Sequence, residues 1–222
     1  MDRSVSIPAG AVTLEGDLRL PEGADAVVAF AHGSGSSRHS PRNRMVAGAL
    51  SGAGMATLLF DLLTREEEMD DMRTGHLRFD IGLLADRLVA AIDWLESDAA
   101  TRALTVGLFG ASTGAAAALV AAAARPARVG AVVSRGGRPD LAGEALAKVE
   151  APSLLIVGGD DTPVIEMNRE AMKAMTCKCE LQIVPGASHL FEEPGALERV
   201  ADLARDWLQA HLGVRAAGWN PA

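Results

Sequence analysis

Tyrosine is absent from the 222 residues, and aromatic side chains make up only 4% of them. With 49% of the chain hydrophobic, filling a core therefore falls to aliphatic and small residues. Cysteine is almost as scarce, with Cys177 and Cys179 alone. Side chains two apart on a strand share a face, and a disulfide across one intervening residue is strained, so a disulfide framework is excluded. No other Cys or His stands near them at a metal-ligand spacing; two free thiols are expected, and no metal site. Free thiols fit a reducing compartment. Basic charge is in deficit too: 21 Lys and Arg against 29 Asp and Glu leave a net charge of −8, which lacks the cationic excess a nucleic-acid binder needs to displace counterions. The longest small-apolar stretch, residues 115–124, is too short to cross a bilayer, and the polar opening Met1-Asp2-Arg3-Ser4 has no signal-peptide core. These absences predict a cytoplasmic protein, monomer or homodimer, with no membrane or nucleic-acid partner.

What is present is alternation. Residues 4–7 and 12–20 read as strands, the second (VTLEGDLRL) half exposed. From residue 26 onward, short apolar runs at 27–31, 55–60, 104–109, 129–134, 153–158 and 179–184 alternate with helical segments at 42–52, 80–97, 113–124, 140–148, 165–175 and 196–212. Strands buried on both faces and separated by helices predict an α/β fold, a mostly parallel twisted sheet wound on both sides. Residues 1–213 are expected to form one domain and 214–222, which lack periodicity, to fray. The stretch 61–79, carrying Glu66-Glu67-Glu68 and Asp70-Asp71, reads as a solvated acidic loop. The segment 134–153 has room for one helix and no large cap domain.

Gly110-Ala111-Ser112-Thr113-Gly114 joins the run LTVGLF to an alanine-rich helix stopped by Arg125-Pro126. A G-x-S-x-G pentapeptide in a strand–turn–helix context is what a nucleophile elbow requires. Reactive groups of parallel α/β sheets collect where strands end. Those positions hold His32-Gly33-Ser34-Gly35, Asp61, Ser112, Arg135, Asp160-Asp161 and His189. Three of them give the chain order Ser…Asp…His expected of α/β-hydrolases. His189, in Pro185-Gly186-Ala187-Ser188-His189, follows the last strand and is the candidate base. Its orienting acid is Asp160 or Asp161. Asp161 is favoured because Val164, three residues on, can pack and anchor the turn. Backbone N–H groups of Ser34 and Thr113 are the candidate oxyanion hole. Gly33-x-Gly35 after a strand also suggests a phosphate cradle, but Arg38 stands where a third glycine belongs and no Gly-Lys-Ser/Thr follows. No cofactor is expected.

HGSGSS, GASTGAAAAL, SRGGRPDL, IVGGDD and VPGASHLFEEPGAL together resemble the dienelactone-hydrolase-related branch of the α/β-hydrolase superfamily, from about residue 26 to residue 212. The resemblance implies a triad of Ser112, Asp161 and His189. One departure stands out: dienelactone hydrolase proper uses a cysteine nucleophile, whereas this chain has serine. The expected function is hydrolysis of small, soluble carboxylic esters, lactones or thioesters, anionic ones included. The alternative is a catalytically silent protein of this fold that binds or scaffolds. Arg135, Gly35 and Arg38 are candidate substrate contacts. The competing reading pairs Arg135 with Asp61 or Asp140 to fix loops, and places Arg42 and Arg44 on a helix surface.

Overall fold

Every second residue of the first two strands turns inward. In β1 (Asp2–Ala9) these are Val5, Ile7 and Ala9, and in β2 (Val12–Arg19) they include Leu14 and Leu18. The computed structural model, which describes residues 1–213, pairs the two antiparallel from Asp2↔Arg19 to Ala9↔Val12. The tail 214–222 and its expected fraying lie outside the described residues. β3 (Ala26–Ala31), β4 (Ala56–Phe60), β5 (Thr105–Ala111), β6 (Val129–Arg135), β7 (Ser153–Gly158) and β8 (Cys179–Val184) complete an eight-stranded sheet in the order β1-β2-β4-β3-β5-β6-β7-β8. β2 meets β4 antiparallel, and all pairings from β4 through β3 to β8 are parallel.

Period-two alternation divides the core between the two faces. In β3, Ala26, Val28 and Phe30 pack beneath α1 (Pro41–Gly52) and α6 (Ala196–Leu212), with Val46, Leu50, Ala204 and Leu208. Val27, Ala29 and Ala31 face the opposite way, toward α3 (Ile81–Ser97) and α4 (Thr113–Ala124). Full burial of a Leu or Phe side chain contributes about 1.5–3 kcal/mol, so these layers supply most of the driving force. α4 is alanine almost throughout and is covered on nearly every side, which lets it sit close against the sheet. Small residues make that approach possible.

Three segments differ from expectation. Residues 61–79 are not a loop: they hold α2 (Arg65–Thr74) and a 3₁₀ turn, Leu77–Phe79. Thr64 Oγ1 accepts from Glu67 N–H and the Glu67 carboxylate accepts from Thr64 N–H, a capping box that nucleates the helix despite its polar composition. Asp71 then closes the far end, accepting from the backbone of Leu77 and Arg78 and pairing with the Arg78 side chain. The segment Pro139–Lys148 is 3₁₀ rather than α, and bends at Gly143, whose φ is 53°. The last connecting helix, α5 (Thr162–Ala174), starts three residues earlier than its apolar spacing suggests, because Pro163 fits its first turn.

Both cysteines are free and half-buried. Burial pushes the Cys179 thiol up to about 12, with the neighbouring Cys177 and Glu180 adding to it, and burial raises Cys177 as well.

Candidate active site

The elbow follows from what its glycines permit. A Cβ on Gly110 would lie 2.4 Å from the Ala115 Cα, and one on Gly114 would lie 2.3 Å from the Ala31 carbonyl oxygen. Only glycine lets β5, the following helix and β3 approach so closely. Between them Ser112 is held at φ 51°, ψ −121°, a conformation that costs a non-glycine residue free energy. Backbone hydrogen bonds hold it there. Ser112 N–H donates to the Arg135 carbonyl at 3.2 Å, and the Ser112 carbonyl accepts from Ala115 and Arg138. The hydroxyl is thereby offered above the strand ends, in a cavity of about 240 Å³ that His189 also lines.

His189 reaches that cavity from the loop after β8. Asp160 N–H donates to the Ala187 carbonyl and Gly159 N–H to the Val184 carbonyl, so the turns after β7 and β8 are stitched together. Phe191, buried and at φ 56°, anchors the loop from below. His189 Nδ1 lies 2.6 Å from Asp161 Oδ2. Asp161 occupies the N-cap position of α5 yet makes no capping bond there; its carboxylate is turned to the imidazole instead. Of the adjacent pair, Asp161 therefore meets His189, whereas Asp160 is exposed. Val164 is buried beside Val157 and Ile165. With Nδ1–H donating to the carboxylate, Nε2 is left as an acceptor.

The loop after β3 faces the elbow. A Cβ on Gly33 would stand 3.0 Å from the Ser112 Cβ, and the hydroxyls of Ser34 and Thr113 are 3.0 Å apart. The backbone N–H groups of Ser34 and Thr113 donate to no group among the described residues. His32 fixes this loop, and its role was not legible in the sequence. Its Nε2 accepts from Leu62 N–H at 3.0 Å and its Nδ1 lies 3.1 Å from the Gly33 carbonyl. Burial lowers its basicity, against the Gly33 hydrogen bond and Asp61, so the imidazole is held neutral. A second cavity, about 140 Å³, opens on the other side of Ser34 and Thr113, with Gly35 and, from α2, Met72 on its walls.

The arginines are distributed differently from expectation. Arg38, a candidate substrate contact, turns away from the Ser112 cavity. Its backbone N–H donates to Asp61, its side chain pairs with Asp61 and with Glu15 at 2.7 Å, and it lines an acidic cleft beside α2. Buried partly, it is nonetheless held above its ordinary basicity by Asp61 and Glu15. Loop closure onto the strand ends, not sequence distance, decides this. Arg42, expected on a helix surface, lines the Ser112 cavity, and its side chain pairs with Glu192 at 3.1 Å. Arg135 lines the same cavity and pairs with neither Asp61 nor Asp140, which are taken by Arg38 and Arg138. The start of α1 at Pro41 was the signal for Arg42, since the first turn of a helix that follows the loop after β3 lies at the strand ends.

A mostly parallel sheet of this strand order, with a serine on a strained strand–helix turn and an Asp–His pair from the next strand ends, has the α/β-hydrolase fold. The model of the dienelactone hydrolase family matches residues 14–212, and the chain belongs to that family. A dienelactone hydrolase from Anabaena variabilis is 62% identical, with a TM-score of 0.94 over 96% of this chain and 98% of its own. Est1E from Butyrivibrio proteoclasticus, at 16% identity and a TM-score of 0.78 over 93% of this chain and 98% of its own, shares the fold. A curated Mycobacterium tuberculosis protein named "Putative phosphoribosyl transferase" is 58% identical over 211 residues, 95% of this chain. Those residues are 47% of the relative, so the chain spans about half its length. Among the described residues no helix is long and apolar enough to cross a membrane.

Proposed function

We propose that the chain is a serine hydrolase that cleaves small carboxylic esters, lactones or thioesters through an acyl-enzyme on Ser112. The observation that carries this reading is the 2.6 Å contact of His189 Nδ1 with Asp161, which sets the imidazole tautomer in the cavity that Ser112 lines. His189 Nε2 takes the Ser112 proton as Oγ attacks the carbonyl carbon. Ser34 and Thr113 N–H groups receive the charge that develops on the carbonyl oxygen. The tetrahedral species collapses with cleavage of the C–O or C–S bond to the leaving group, which takes the proton from His189. Water, deprotonated by the same Nε2, then attacks the acyl carbon and releases the acid and the free serine.

Ser112→Ala is expected to lower kcat on an activated ester by about four powers of ten or more, since the three residues act as a unit. Retention of most of the activity would reject Ser112 as nucleophile. A fluorophosphonate probe should label the native chain and not the variant. Failure to label the native chain would favour the silent binding protein.

A further inference from the structure

Arg135 ends β6 with its side chain on the face of α1 and α6, the same face as Ala131 and Val133. It is only 8% exposed, and its Nε and Nη1 atoms are enclosed with no hydrogen-bond partner. Among the described residues it makes no ion pair with any carboxylate, although ion pairs occupy most other arginines of the chain. A buried guanidinium left in this state is costly unless something compensates it. Burial, with Arg42 as a second cation nearby, draws it down to about 10, so it still carries its charge at neutral pH.

Its surroundings point to what compensates it. The cavity of about 240 Å³ that it shares with Ser112, His189 and Arg42 has no acidic side chain on its walls. Ser40, which caps α1, also lines it, so the positive end of that twelve-residue helix adds to the potential. The Arg42–Glu192 pair lies at the mouth, with Glu192 63% exposed, where an ion pair is weak and open to exchange.

We propose that Arg135, with Arg42 beside it, is the receptor for an anionic group on the substrate, so that the esters cleaved at Ser112 carry a carboxylate or phosphate on the acyl side chain. This rests on Ser112 being the nucleophile. Nη2, the one guanidinium nitrogen outside that enclosure, can donate a charge-assisted hydrogen bond to either oxyanion in the cavity it shares with the serine.

Two measurements separate this inference from the reading it rests on. Calorimetry on Ser112→Ala, which performs no chemistry, should detect saturable binding of glutarate or of inorganic phosphate. Whichever binds more tightly identifies the group. Adding Arg135→Gln should weaken it at least tenfold, and Arg135→Lys should recover part of the loss. Absence of saturable binding by both anions, or binding indifferent to Arg135→Gln, overturns the proposal. For turnover, phenyl hydrogen glutarate and phenyl pentanoate present acyl chains of equal length with and without charge. The native ratio of their kcat/KM values should favour the anionic ester tenfold or more and fall toward one in Arg135→Gln. A native ratio near one overturns the proposal, and does so even if Arg135→Gln does not fold. Turnover of both esters that survives Ser112→Ala would instead sink the nucleophile assignment, leaving calorimetry to judge the anion receptor.

Discussion

At the scale of single residues, two adjacent aspartates make opposite predictions. Asp161→Asn should lower kcat by about three powers of ten or more, because an amide at that position stabilises the wrong imidazole tautomer. Asp160→Asn should change it by less than threefold, since its exposed carboxylate has no contact with His189 and its structural bond is made by the backbone. Assays of the two variants side by side decide it. His32 bears on pH. Its folded basicity lies below the ordinary value of 6.5, so between those two values the unfolded chain binds a proton that the folded chain refuses. Stability therefore falls as pH drops below 6.5, by up to ~1.4 kcal/mol per unit for one such group. Urea midpoints at pH 7.5, 6 and 5 should fall more steeply for the native protein than for His32→Gln, and equal slopes would refute this. Ser112, Asp161 and His189 were legible because each follows an apolar run, and strand ends converge. Arg38 and Arg42 lie on the opposite sides from those expected, Arg42 on the Ser112 cavity and Arg38 on the acidic cleft, for a related reason: both lie near the same strand end. Which guanidinium turns inward depends on Asp61 and Glu15, partners brought from distant parts of the chain.

Among the elements, α2 was concealed by its own composition. REEEMDDMRT has no apolar face to betray it, and the legible sign was the Thr64-x-x-Glu67 capping box. Thr64→Ala should cost about 1 kcal/mol and act locally. Amide exchange should quicken over residues 65–74 and leave α3 and α4 unchanged; uniform loss of protection would mean that the cap holds more than its helix. α4 offers the opposite test. Ala117 is fully buried, and Ala117→Leu should destabilise the chain by about 1–3 kcal/mol, read as a lower thermal midpoint, because the close approach of this helix to the sheet leaves no room for three more carbons. The bend at Gly143 escaped the sequence because helical spacing on both sides of it reads as continuous.

For the molecule as a whole, the α/β architecture was the most legible feature, since every buried strand announces itself as an apolar run. The order of the sheet was not: β3 lies between β4 and β5, and its residues pair with partners about thirty positions later on one side and about eighty on the other, a matter of long-range packing. The two faces carry separate reporters, Trp94 on α3 and Trp207 on α6. If one domain holds both layers, variants keeping only Trp94 or only Trp207 should lose native fluorescence at the same urea concentration. Midpoints that separate clearly would divide the molecule into two cooperative units.

The hydrogen bond from Ser112 N–H to the Arg135 carbonyl ties these two residues to one rung of the sheet. If Ser112 attacks and Arg135 receives the anion, as proposed, a substrate is gripped as if by calipers with locked jaws. Homologous half-esters of succinate, glutarate, adipate and pimelate should give a kcat/KM that peaks at one chain length and falls on either side, and the peak would measure the span of the jaws directly.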